Sequence, residues 1–104
     1  MTEVEIYLEQ NNIKKICVQG HANYADSGKD IVCAGISVLL QTGALASKKL
    51  LGKEILKECS DGKLIIEVPD NVNDDNLQLI LQTIIVGLKD IESGYPKNLK
   101  IKEM

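Results

Sequence analysis

The sequence has no tryptophan, no phenylalanine and only three tyrosines, so any core it builds must be aliphatic. So few aromatic faces also exclude the stacking platforms used by single-strand nucleic-acid binders. Charge points the same way: a net charge of −3 and an isoelectric point near 5.1 disfavour binding to phosphate backbones and suit a basic partner. No basic flank joins an apolar run near Met1, so no secretory signal is expected and a cytoplasmic protein is. The longest apolar stretch, 31–45, is interrupted by Ser37, Gln41 and Thr42 and reads as too short for a membrane span. Cys17, Cys33 and Cys59 are odd in number and form no CxxC pair, which fits reduced thiols rather than a disulfide framework. A chain of 104 residues is expected to form a single domain over 1–104 with one modest core.

The apolar periodicity predicts two layers. Val4, Ile6 and Leu8 alternate with charged residues and Tyr7, and Ile16 and Val18 continue the pattern after Gln10-Asn11-Asn12; together they predict a hairpin. A helix over 31–51 follows, apolar on more than one stripe and ended by Gly52. Its small residues, among them Gly35, Gly43 and Ala44, invite close approach of a second copy of the chain. A second hairpin is expected over 55–59 and 63–68, around Ser60-Asp61-Gly62. Leu77, Ile80, Leu81, Ile84, Ile85, Leu88 and Ile91 then mark a one-faced helix over 74–93. Leu99 and Ile101 suggest a last strand. The order strand, strand, helix, strand, strand, helix, strand predicts an α+β two-layer sandwich, with a mixed or mainly antiparallel sheet and two helices.

Chemistry concentrates in Gly20–Leu40. The only histidine, His21, follows a strand-ending glycine, and Asp30 is a good helix N-cap ahead of Ile31-Val32. That cap puts Cys33 at the third helical position, where the positive end of the helix dipole favours an anion such as a thiolate. The polar segment 22–29, which carries Gly28, is long enough to bring the imidazole back to the helix start. A Cys-His pair of this kind activates a thiol for nucleophilic attack. Backbone N–H groups around Cys33 are candidate oxyanion donors, and the loop over 22–29 is a candidate lid.

Gly20, His21, Tyr24, Ala25, Gly28, Asp30, Cys33, Ala34 and Ser37, in that order and spacing, resemble the signature of the bacterial ribosomal-processing cysteine protease family. Gly35 stands where alanine is common in that family. The resemblance implies a homodimeric α/β protein that removes a short N-terminal extension from the precursor of large-subunit ribosomal protein twenty-seven. It implies Cys33 as nucleophile and His21 as general base. No cofactor, no direct nucleic-acid binding and no membrane association are expected. Asp30 and Ser37 would support the pair, and Gly20, Tyr24 and Gly28 would belong to the substrate-binding loop or lid.

Blander roles stand beside these. A lone histidine is often structural, and cysteine commonly packs as a small hydrophobe; Cys17 and Cys59 are expected to be packing residues or incidental surface thiols. Asp30 serves as a cap whether or not it also orients the imidazole, Ser37 can back-bond to the carbonyl of Cys33, and Tyr24 can anchor the loop. A non-catalytic dimeric binding module in ribosome assembly is the alternative function. Redox signalling through Cys33 lacks an evident resolving cysteine. No metal is expected, because His21, Cys33 and nearby carboxylates fall short of a zinc-binding set.

Overall fold

The computed structural model describes residues 1–26 and 28–104. Its elements are β1 (Thr2–Glu9), β2 (Asn12–Gln19), α1 (Ile31–Leu51), β3 (Leu56–Ser60), β4 (Lys63–Glu67), α2 (Asp75–Gly94) and β5 (Leu99–Glu103). The five strands form one sheet in the order β3-β4-β2-β1-β5, antiparallel except where β5 runs parallel to β1. This is the mixed α+β arrangement the periodicity predicts.

Gln10 and Asn11 close the first hairpin with φ of 52° and 67°, both left-handed, as a turn matched to the twist of its strands requires. Beyond the turn, register assembles the core. Val4, Val18 and Leu64 face one another across β1, β2 and β4, and Ile6, Ile16 and Ile66 form the next row. All six are buried. Leu8 departs from the expected alternation: the register shifts between Tyr7 and Leu8, which leaves Leu8 exposed while Ile13 is buried.

The helices cover this face. In α2, Leu77, Leu81, Ile84 and Leu88 are buried at alternating spacings of four and three, and Asp74 caps the start through bonds from Asn76 N and Leu77 N. In α1, Val32, Ile36, Leu40, Gly43, Ala44 and Ser47 are buried. The Ser47 hydroxyl donates to the Gly43 carbonyl, so its burial leaves no polar group unmatched. At the far end Gly52 adopts φ 66°, and the N–H groups of Gly52 and Lys53 return to the carbonyls of Lys48 and Ser47. At 21 residues α1 is long and apolar enough, by length and composition, to cross a bilayer, so the shorter 31–45 stretch understates it. Here its buried stripe packs within the α+β core.

The small residues of α1 also have a use within the chain. A Cβ on Gly43 would stand 2.8 Å from Ile84 Cγ1 on α2, and one on Gly87 would stand 2.9 Å from Leu39 on α1. Close approach at Gly43 is therefore made by α2 rather than by the second chain the sequence suggested. At Gly35 the nearest atom to an added Cβ is Ile91 Cδ1 at 3.6 Å, an ordinary contact. Substitutions at the two glycines should have opposite signs. Gly43→Val should cost about 1–3 kcal/mol through overpacking. Gly35→Ala should add up to about 1 kcal/mol through helix propensity. Urea denaturation checks both; equal effects at the two sites would remove the close-approach explanation.

Candidate active site

The site begins where β2 leaves the sheet. The last β2–β4 pair is Gln19 with Lys63, so the residues after Gln19 meet those before Lys63. Gly20 donates its N–H to the Gly62 carbonyl at 2.8 Å. Its φ is +93°, and an added Cβ would lie 2.7 Å from the Met1 carbonyl oxygen, so only glycine fits this exit. His21 follows with its side chain about half exposed. Its Nε2 is 3.8 Å from Asp61 Oδ1, and the ring lies against Gly62, whose added Cβ would be 3.1 Å from Nε2.

The chain then crosses to α1. Ala22 is buried and its carbonyl accepts from Asn98 Nδ2 at 2.9 Å, while the Tyr24 ring meets Tyr95 edge to face at 5.2 Å. Asp30 closes the crossing. Its Oδ1 accepts from Cys33 N at 2.9 Å, and its Oδ2 accepts from Tyr24 N at 2.9 Å and Ala25 N at 3.4 Å. These bonds, with that from Cys33 the strongest, hold the Asp30 carboxyl below the usual carboxylate range. One side chain thus caps the helix and ties the loop to it. Cys33, partly buried, is the third residue of α1, as the cap position predicts.

A cavity of about 620 Å³ lies between the start of α1, the His21 segment and the β3–β4 turn. Gly20, His21, Gly28, Asp30, Cys33 and Ser37 all line it, so the candidates from two separated elements converge. Among the described residues Ser37 makes no back-bond to the Cys33 carbonyl, unlike Ser47 and Thr83 to theirs, so its hydroxyl is open to the cavity. Tyr24 is not among the lining residues; its ring is held by Tyr95, the anchoring role. The expected lid over 22–29 includes residue 27, which lies outside the described residues. Of its remainder Ala22 and Tyr24 are anchored, and Ala25 and Gly28 face the cavity. The expected oxyanion donor changes too. The N–H of Cys33 is engaged by Asp30, and that of Ala34 by the Asp30 carbonyl.

Cys59, Ser60, Asp61, Gly62 and Gln41 also line the cavity and were not singled out from sequence. Ser60-Asp61-Gly62 reads as a turn; only the β2–β4 pairing shows that this turn abuts His21. Cys59 pairs with Leu64, a residue of the buried row, and so sits on the helix-covered side of the sheet edge. Cys17 is buried instead, and that burial raises its thiol pKa, in keeping with a packing role. Among the described residues no group of three or more His, Cys, Asp or Glu side chains is placed to hold a metal ion.

A model of the family described as cysteine protease Prp matches residues 1–100. The ribosomal processing cysteine protease Prp of Staphylococcus aureus is 33% identical over 95 residues, covering 89% of each chain. Its Bacillus subtilis counterpart is 33% identical over 87 residues, covering 79% of this chain and 78% of that one. A crystal structure of the S. aureus protease with a covalently linked product peptide matches over the whole of both chains, with a TM-score of 0.93 and 32% identity. Another, with a substrate peptide, matches at 0.86 and 31% over the same extent.

Asp30 provides a graded test of how the site is held. Asparagine keeps one oxygen for Cys33 N but turns an amide N–H toward the donors of Tyr24 and Ala25, whereas alanine removes every bond. Asp30→Asn should therefore preserve α1 while loosening the loop, and Asp30→Ala should weaken both, as read by amide exchange. Because the native carboxyl is held low, its contribution to stability is present above the ordinary value of 3.8 and is lost as pH falls through the lower native value. The stability gap between wild type and Asp30→Ala should thus narrow between about pH 7 and about pH 3, as measured by chemical denaturation. A constant gap would assign the effect to packing.

Proposed function

The chain belongs to the cysteine protease Prp family, and from that membership we propose an endopeptidase that removes a short N-terminal extension from the precursor of a large-subunit ribosomal protein. The chain is a cysteine protease; Cys33 is assigned as its nucleophile and His21 as its general base. One observation supports the assignment above the rest. The only histidine and the cysteine in the first turn of α1 come from different elements and line one cavity.

The chemistry follows from their placement. His21 takes the thiol proton, and the start of α1 favours the anion that results. The thiolate attacks the scissile carbonyl, the C–N bond breaks, and the imidazolium protonates the leaving amine. Water, deprotonated by the same imidazole, then releases the acyl group from Cys33. The S. aureus relative seen with a covalently linked product peptide accords with such an intermediate. Since Asp30 already engages the N–H of Cys33, the side-chain donors that line the cavity, Asn23, Ser37 and Gln41, are the candidates for holding the oxyanion. The names of the relatives support a ribosomal substrate, and the net charge of −3 would speed encounter with a basic protein in the cytoplasm.

A homodimer is part of the proposal. Ile31, Val38 and Leu45 recur every seven residues along α1 and remain 53–63% exposed, and Leu79 and Val86 repeat the spacing on α2. A second copy would cover these stripes. Family membership sets aside the non-catalytic binding module.

Incubation with the chain's own precursor ribosomal protein, followed by intact-mass analysis, tests the function. The wild type should release one defined N-terminal segment, Cys33→Ala should release none, and His21→Ala should be slowed by about 10²–10⁴-fold. Cleavage by folded Cys33→Ala would overturn the assignment. For assembly, Val38→Glu should convert a dimer to a monomer in light scattering coupled to gel filtration; a wild-type monomer would remove the dimer.

A further inference from the structure

Four observations meet at the turn between β3 and β4. The His21 ring rests on Gly62, where an added Cβ would come within 3.1 Å of Nε2. Asp61 Oδ1 lies 3.8 Å from that same nitrogen. The Gly62 carbonyl accepts the Gly20 N–H at 2.8 Å, which fixes the backbone next to the histidine. Asp61 and Gly62 also line the cavity that holds Cys33. We propose that Asp61-Gly62 is a third part of the site, Gly62 as the seat of the imidazole and Asp61 as the positioning carboxylate that draws Nε2 and leaves Nδ1 for Cys33. The inference rests on His21 acting as the base.

The physical case is one of orientation. An exposed imidazole turns freely about its side-chain bonds, and a base that must receive a proton and return it needs one nitrogen fixed toward the thiol. Gly62, at φ +74°, brings bare backbone under the ring, and an added Cβ would stand 3.1 Å from Nε2, so the ring would have to shift by a few tenths of an ångström. At 3.8 Å the carboxylate is beyond direct hydrogen-bond range, and Asp61 is 97% exposed, so in the free protein its pull is screened or carried by a bridging water. An extended peptide in the cavity excludes that solvent, and the pull strengthens when the imidazolium forms. Other ionisable groups lining the cavity are Asp30 at the N-cap of α1, Cys33 within α1, Cys59 from β3 and Lys63 from β4. Asp30 is engaged with backbone N–H groups and Lys63 lies 3.5 Å from Glu58, which leaves Asp61 as the carboxylate nearest the ring.

Three variants test this: Asp61→Asn, Asp61→Glu and Gly62→Ala. Two readouts are compared for each, cleavage of a synthetic peptide spanning the precursor's N-terminal extension and the rate of alkylation of Cys33 by iodoacetamide, followed by peptide mass mapping. Asp61→Asn should lower kcat by about 2–5-fold with little change in KM, move the alkaline limb of the kcat/KM profile to lower pH, and be rescued in large part by Asp61→Glu. Gly62→Ala should lower kcat by about tenfold or more while circular dichroism stays unchanged. If His21→Ala slows Cys33 alkylation but Asp61→Asn leaves kcat and the pH profile unmoved, the positioning role is overturned and the base survives. If His21→Ala itself leaves alkylation unchanged, the assignment of the base fails first.

Discussion

One carboxylate ties the connecting loop to the start of α1. Asp30 accepts the N–H of Cys33 with one oxygen and those of Tyr24 and Ala25 with the other. The first bond starts α1 with Cys33 in its opening turn, and the others bind the end of the connecting loop to the same point. Without it the connecting loop would keep its anchors at Ala22 and Tyr24 but lose its tie to the start of the helix. The same cap engages the N–H of Cys33, and the Asp30 carbonyl that of Ala34, so the polar groups left to face the cavity near the thiol are side chains such as Asn23, Ser37 and Gln41.

The second constraint is sheet order. His21 reaches the cavity because β2 ends one residue before Gly20, and β4, the neighbour of β2, begins just after Gly62. His21 is therefore placed by strand pairing and Cys33 by a helix cap, two devices that share no residue. Glycine permits both close approaches. Gly20 passes the Met1 carbonyl, and Gly62 lies beneath the imidazole. The core has a separate glycine contact, Gly43 against Ile84, which lets α1 and α2 pack closely.

Much of this was legible in the chain, and what was not has a common cause. The seven elements, the Asp30 cap, the Gly52 end of α1 and the convergence of His21 with Cys33 follow from period, caps and spacing, all local signals. Leu8 was misread because a register shift has no period-two signature. The small residues of α1 were assigned to a partner chain because composition does not tell which helix approaches them; Ile84 of α2 does. Asp61, Gly62, Gln41 and Cys59 were missed as lining residues for the same reason. Their proximity to the pair depends on β2–β4 pairing and on the packing of α1 over the sheet, contacts between residues far apart in sequence.

The three cysteines show how position alone gives one side chain three environments. Cys17 lies in a central strand, where burial makes ionisation costly and removes it from reaction. Cys59 belongs to the edge strand and is exposed, lining the same cavity from the sheet side rather than from within a helical first turn. Cys33 combines partial access with the backbone dipoles of a helix start and a cavity shared with the histidine. A nucleophile needs all three conditions together: access for the peptide, a field that favours the anion, and a base that returns the proton. Burial alone would protect a thiol, and exposure alone would leave it without activation. The fold supplies the combination at one place, where a capped helix and the end of a strand face the same space.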